Sequence, residues 1–303
     1  MIDSQNQNDE KITCCEFSPN GLLLAVSYVG GSMVIYKTAD LSPLLKFQKL
    51  GFMNQFTWHE CGYILLCARN DGKAILADIK TNTIEILYDP GEDKHAICIA
   101  TSSKLFAAIG YSDGTISLIL RKEVAPSVFS AGYYPVTSIA IMNEKNSIIV
   151  TSADGIVRIF NFLPTVSLAT RHLCLNSIYV KKSPLYQVKL LNNDDVALVL
   201  APSCMIRLLN LSKGPISEPI TMLSPNLNTK QFKILNYNEK SSFVACISDE
   251  FFKILSIDTL AVVFEKRMPN LKGFAISCHP TCPLIATAGT DGQSILLHNV
   301  TFS

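Results

Sequence analysis

Residues 96–120 read AICIA-TSSK-LFAAIGY-SDG-TISLIL: a short apolar strand, a polar turn, a second apolar strand, the turn Ser112-Asp113-Gly114, and a third apolar strand. An Asp-Gly step permits the positive φ that a tight hairpin requires, and glycine supplies it at little steric cost. The same unit opens the chain as ITCCEF-SPNG-LLLAVSY-VGG-SMVIYK over residues 12–37, followed by PLLKFQ. It returns as NQFTW-HECG-YILLCAR-NDG-KAILADI-…-TIEILY (54–88), as VTSIAI-MNEKN-SIIVTS-ADG-IVRIFN (136–161) and as GFAISC-HPTCP-LIATAG-TDG-QSILLH (273–298). Strands such as LLLAVSY and SIIVTS lack polar–apolar alternation, the pattern of a strand buried on both faces. One such unit cannot cover its own faces, so the units must stack on one another and close.

The marker turns end at Gly31, Gly72, Gly114, Gly155 and Gly292. The first three intervals are 41, 42 and 41 residues, the period of a four-stranded propeller blade, about 40–45. Between Gly155 and Gly292 two weaker copies fit. One is YQVKLL-NNDD-VALVLA-PSC-MIRLLN near 186–211; the other is QFKIL-NYNEK-SSFVACI-SDE-FFKILSI, then AVVFEK, at 231–266. With Cys204 and Glu250 as degenerate turn positions, seven units result, a common closure number. The sequence therefore predicts an all-β fold: a single seven-bladed, WD-repeat-like β-propeller over residues 12–303 with degenerate signature motifs, preceded by the polar segment 1–11. The Trp-Asp slot holds Tyr36-Lys37, Ala77-Asp78, Phe160-Asn161, Leu209-Asn210, Leu255-Ser256 and Leu297-His298. That decay predicts a hydrogen-bonded corner network replaced by apolar packing. After QSILLH no clear outer strand follows, so the last blade is expected to be three-stranded or closed by a short clasp.

Hydrophobic residues make up 48% and charged residues 17%, which predicts a large core. Lys plus Arg number 26 against 25 Asp plus Glu, too even for a whole-surface attraction to nucleic acid or an anionic membrane. The ten cysteines lie mostly in apolar runs, as reduced, buried thiols do. Residues 1–11, MIDSQNQNDEK, lack the apolar core of a secretory signal, so a reducing, intracellular setting without disulfides is expected. No apolar stretch approaches the ~20 residues of a membrane-spanning helix.

Catalytic chemistry is hard to find. His59, His95, His172, His279 and His298 are scattered, and no metalloprotease, Walker, nucleophile-elbow or Rossmann motif occurs. No enzyme activity, cofactor, metal or small-molecule substrate is expected. Cys278-His279-Pro280-Thr281-Cys282 lacks a second ligand pair for zinc and reads as a strand-to-turn corner. Neighbouring Cys14 and Cys15 face opposite sides of a strand, one into each adjoining layer. Asp113, Asp154, Asp249 and Asp291 read as turn residues. Trp58, the lone tryptophan, is either a core aromatic or an exposed partner anchor. Arg69 and Lys73 flank the second turn. Lys181 and Lys182 lie between blades four and five, and Lys230, Lys233 and Lys272 precede later blades. If turns and blade-to-blade linkers share one rim, these cations form a local basic stretch able to meet phosphate or an acidic tail; a solvated surface is the plainer alternative.

Thr13-Cys14-Cys15-Glu16-Phe17-Ser18-Pro19-Asn20-Gly21, followed by Leu23-Leu24-Ala25-Val26, resembles the first blade of the retinoblastoma-binding protein five family, the WD-repeat scaffold of COMPASS-type histone lysine methyltransferase complexes. Leu271-Lys272-Gly273-Phe274, His279-Pro280, Pro283 and Leu284-Ile285-Ala286 are similar to its end. Ile206-Arg207-Leu208-Leu209 sits where that family carries an arginine in blade five, and the long stretch before Phe232 matches its link into blade six. The resemblance is diffuse but spans nearly the whole chain. It implies a non-catalytic scaffold in a nuclear complex, binding protein subunits and, through Arg69, Lys73, Lys181, Lys182, Arg207, Lys230 and Lys272, a nucleosome or its DNA. Two departures stand out: almost all the tryptophans are gone, and the family's C-terminal extension is missing after Ser303, so docking is expected without the full scaffold role. A WD-repeat adaptor of cytoplasmic machinery (trafficking, translation or ubiquitin ligation) is the rival, since a fold does not fix a function.

Overall fold

A computed structural model describes residues 11–91, 93–122, 125–162, 174–180, 183–191, 196–201, 205–211, 220–222, 229–237, 241–248, 251–256, 261–268, 275–288 and 294–300. Those residues form 27 strands and no helix. Blade one is β1 (Ile12–Phe17), β2 (Leu23–Tyr28), β3 (Met33–Lys37) and β4 (Pro43–Phe47); blade two is β5 (Met53–Trp58), β6 (Ile64–Arg69), β7 (Ala74–Asp78) and β8 (Thr83–Tyr88). Blade three is β9 (Ala96–Ala100), β10 (Ala107–Tyr111), β11 (Thr115–Ile119) and β12 (Ser127–Ser130); blade four is β13 (Val136–Met142), β14 (Ser147–Ser152), β15 (Ile156–Asn161) and β16 (Cys174–Tyr179). Blade five is β17 (Gln187–Leu191), β18 (Val196–Ala201), β19 (Met205–Asn210) and β20 (Ile220–Met222). Blade six is β21 (Thr229–Tyr237), β22 (Ser241–Ser248), β23 (Phe251–Ser256) and β24 (Val262–Arg267), and blade seven is β25 (Ile276–Cys278), β26 (Leu284–Ala288) and β27 (Ile295–Asn299). Each sheet is an antiparallel meander in chain order; the seventh has three strands among the described residues.

The first strands of successive blades adjoin in turn, β1, β5, β9, β13, β17, β21, β25, and β25 returns to β1. The ring is therefore closed. Its core lies between blades, not within them. Along β6, Leu65 and Cys67 enter the layer shared with blade one, while Leu66 and Ala68 enter the layer shared with blade three. This is the period-two consequence of a strand whose two faces are both covered. β14, predicted to be buried throughout, is buried at all six positions. Cys14 packs into the blade-one/blade-two layer and Cys15 into the blade-seven/blade-one layer, as their adjacency predicts. Burial pushes the Cys67 thiol up to about 12 and the Cys98 thiol likewise to about 12, so both stay protonated and inert.

One expectation is corrected. The lost corner network is not replaced by apolar packing alone, because hydrogen bonds link neighbouring blades at the strand ends of one face. Trp58 Nε1 donates to the Glu16 carbonyl (2.9 Å). The Ser103 amide donates to Glu60 Oε1 (2.6 Å), Lys104 Nζ to the Asn143 carbonyl (2.7 Å) and Lys145 Nζ to the Leu211 carbonyl (3.0 Å). Polar groups at these corners, part-buried for Trp58 and Lys145 and exposed for Ser103 and Lys104, are satisfied by the next blade, which an apolar substitution could not do.

Candidate interaction surface

The marker turns and the blade-to-blade linkers do share one rim. Gly31, Gly72, Gly114 and Gly155 all have positive φ. The Leu50 amide, in the linker after blade one, donates to the Gly31 carbonyl; the Ala131 and Val180 amides repeat this on Gly114 and Gly155. The turn aspartates act as hairpin chemistry requires. Asp113 Oδ1 accepts the Thr115 amide (2.9 Å), and Asp154 Oδ1 accepts the Ile156 amide (3.0 Å). Asp249 and Asp291 lie outside the described residues.

On the described rim of blades two to four the cations are occupied. Arg69 pairs with Asp71 at 2.5 Å and lies beneath the Gly51 backbone. Lys73 pairs with Asp89 at 2.6 Å, whose carboxyl is held below its usual range by that bond and by the Gly91 amide. Lys94 bridges Asp113 (3.0 Å) and Thr115 Oγ1 (3.0 Å). Burial would raise the Asp113 carboxyl, but hydrogen bonds from Thr115 and Lys94 outweigh it and hold the group low. Arg158 pairs with Asp154 at 2.6 Å, both mostly sheltered. The described rim of blades two to four is thus charged yet locally neutral.

Of the sequence candidates, Arg69 and Lys73 stand together on this rim. Arg207 lies on β19 and Lys230 on β21; Lys181, Lys182 and Lys272 lie outside the described residues, as do the turn positions Cys204 and Glu250. Trp58 is corrected as a partner anchor: it is 5% exposed and packed with Phe47, Phe56 and Met53 in the blade-one/blade-two layer. An anchor needs surface to lose on binding, and Trp58 has already lost it.

Sequence reasoning missed the tyrosines. Tyr133, 97% exposed, and the exposed Tyr134 occupy the linker into blade four; Tyr186, in the linker into blade five, and Tyr179, at the end of β16, are also exposed. Backbone bonds tie both linkers to the blade-four turn: the Ala153 amide donates to the Pro135 carbonyl, and the Leu185 amide to the Ser152 carbonyl. Four exposed tyrosines therefore lie on or beside segments bonded to one turn. Amphipathic aromatics at the surface are the usual anchors of protein interfaces. The signal was Gly132-Tyr133-Tyr134-Pro135, a linker with aromatics and no strand for them to serve.

On the opposite face, a cavity of about 250 Å³ is lined by Glu16, Phe17, Ser18, Pro19, Trp58, Lys189, Ser277, Cys278 and Pro280. Polar side chains converge here, but local structure engages several. Ser18 Oγ accepts the Leu23 amide (3.0 Å), and Ser277 Oγ accepts the Phe17 amide (2.9 Å). His279, next to Cys278, cannot serve as its base. Its Nδ1 accepts the amides of Thr281 (3.2 Å) and Cys282 (3.1 Å), which places the proton on Nε2, where it is donated to the Gly21 carbonyl (3.0 Å). The Cys-His-Pro-Thr-Cys stretch is the corner the sequence predicted. Among the described residues no cluster of metal-ligating side chains occurs, and no helix is long and apolar enough to cross a membrane.

Residues 3–37 match the family model described as WD domain, G-beta repeat. No curated protein matches significantly in sequence. Among solved structures, the chain is similar to the β-propeller domain of Myceliophteria thermophila Cps50 (Swd1): TM-score 0.75, 16% identity, covering 96% of this chain and 97% of that one. At that identity the likeness shows the architecture, a β-propeller whose first repeat carries the WD-repeat pattern.

Proposed function

We propose that the chain is a non-catalytic interaction scaffold, a propeller subunit of a nuclear, COMPASS-type histone lysine methyltransferase complex. The observation that carries the scaffold reading is the set of four exposed tyrosines on or beside the segments bonded to blade four's turn. Exposed anchors stand on linkers pinned by backbone hydrogen bonds to a closed ring, so a partner would meet them already ordered. The choice of complex is supported by the resemblance of the first and last blades to the retinoblastoma-binding protein five family and by the propeller architecture.

Contact with nucleosomal DNA through Arg69 and Lys73 would require exchanging Asp71 and Asp89 for phosphates. That makes protein subunits the better-supported ligands of this part of the rim. The test is affinity purification of the tagged full chain from nuclear extract. Recovery of a SET-domain methyltransferase with its companion subunits, lost in a Tyr133→Ala/Tyr134→Ala variant, supports the reading. Recovery only of trafficking, ribosomal or ubiquitin-ligase proteins rejects the complex and favours a cytoplasmic adaptor.

A further inference from the structure

The outermost strand of each blade leaves one ladder edge facing solvent, a hazard that natural sheets blunt with charge, proline or brevity. The described outer strands mostly comply. β4 carries Pro43 and Lys46, β12 has four residues, and β24 ends in exposed Glu265, Lys266 and Arg267. β16, Cys-Leu-Asn-Ser-Ile-Tyr, and β8, Thr-Ile-Glu-Ile-Leu-Tyr, do not, and of the two only β8 exposes a pair of β-branched residues on one face. Ile84 is 42% exposed and Ile86 58%. They stand two residues apart, on one face, opposite Ala77 and Ile75 in the ladder. Ala77 and Ile75 belong to the blade-one/blade-two core, so the isoleucines carry that apolar layer out to the surface. The strand's one charge, Glu85, is neutralised by Lys122 Nζ, reaching from blade three at 2.7 Å. Among the described residues no strand pairs with β8 on its outer side.

We propose that β8 is a self-association edge, through which two copies of this chain pair antiparallel about a two-fold axis at Glu85. Such a contact is self-complementary, as a two-fold interface must be. It sets Ile84 beside Ile86 of the second copy and Ile86 beside its Ile84, directly opposite pairs that bury four isoleucines together. Glu85 then faces its own copy. That juxtaposition repels when bare, and the Lys122 bridge on each side removes the repulsion. A net charge of +1 sets no long-range barrier between copies. The proposal is independent of which complex the scaffold serves.

Sedimentation velocity of the full chain tests it from about 1 to about 100 µM, the span of a weak dimer. The wild type is expected to shift from monomer to dimer with concentration. Ile86→Lys should remain monomeric throughout with an unchanged circular dichroism spectrum and melting temperature. Lys122→Glu should weaken the dimer about fivefold or more by baring the glutamates. A wild type that stays monomeric over the range overturns the proposal. So does a folded Ile86→Lys chain that still dimerises, or a Lys122→Glu dimer of unchanged affinity.

Discussion

Between blades one and two, Met33, Phe47, Phe56 and Trp58 fill the shared layer. Between blades seven and one, the corresponding layer holds Ala275, Ala286 and Ala288 beside Ile12, Phe17 and Leu24. The first seam joins sheets already tethered by a short linker, and bulk dominates it, with Trp58 Nε1 bonded to the Glu16 carbonyl and Thr57 Oγ1 to Glu16 Oε1 across it. The second joins segments more than 250 residues apart in the chain, with a loop-closure entropy to overcome and no tether to set alignment. It holds less bulk and relies more on direction. His279 Nε2 donates to the Gly21 carbonyl across the seam, the Phe17 amide donates to Ser277 Oγ, and the Phe17 and His279 rings meet edge to face at 5.2 Å. Where the chain does not hold two blades in register, a buried histidine and a serine add their bonds to a thinner apolar layer.

The contrast predicts different injuries. Trp58→Ala should be the most damaging single change, costing about 3–5 kcal/mol through cavity formation; a urea midpoint nearly unchanged would show that volume does not hold the first seam. Gly21→Ala attacks the other seam. Gly21 has φ +72° and an added Cβ would overlap the His279 ring, for an expected cost of about 2–3 kcal/mol from strain and overpacking. Gly91, at φ +91° with open space around it, is the control, and Gly91→Ala should cost about 1 kcal/mol. If the two glycine variants melt alike, the ring-to-turn contact is not what matters at Gly21. His279→Ala should cost about 1–2 kcal/mol for the lost bonds, with faster amide hydrogen exchange concentrated in β25–β27 and β1.

Acid should act on blade seven, through His279 at its seam with blade one and through His298, packed on Phe252, at its layer with blade six. Burial holds His279 below its usual 6.5, the Gly21 carbonyl pulling weakly the other way. Burial pushes His298, bonded to Thr287 Oγ1 at 2.8 Å, down to about 4, with Lys266 adding to the effect. Both are neutral in the folded ring but protonate near 6.5 in the unfolded chain, which therefore binds more protons in between. Stability from these two groups is full above pH 6.5 and declines as pH falls from there toward 4. Denaturant midpoints across that window should fall less in a His298→Gln variant than in the wild type, a smaller effect than any of the seam substitutions.

The sequence revealed most where local chemistry repeats. Asp-Gly turns at Gly72, Gly114 and Gly155 announced blades two to four because a positive φ leaves its mark in residue type. Outer strands such as SVFS (β12) and CLNSIY (β16) left none, since a strand covered on one face carries little apolar signal. Asp113 and Asp154 were readable as turn residues from their own neighbours. The Lys73–Asp89 pair was not, because it needs the linker to fold back on the turn. Trp58 had two readings until the layer around it was known, and the exposure of Tyr133 depends on what fails to pack against it. The His279–Gly21 contact was the least readable of all, existing only once the ends of the chain meet.

The neutralised rim also bears on kinetics. A rim on which Arg69, Lys73, Lys94 and Arg158 each have a carboxylate projects little field into solution, so it cannot draw a partner from a distance. Association there should proceed at the unsteered pace of about 10⁵–10⁶ M⁻¹s⁻¹ and vary little with ionic strength, leaving complex lifetime to be set by how slowly the tyrosines let go.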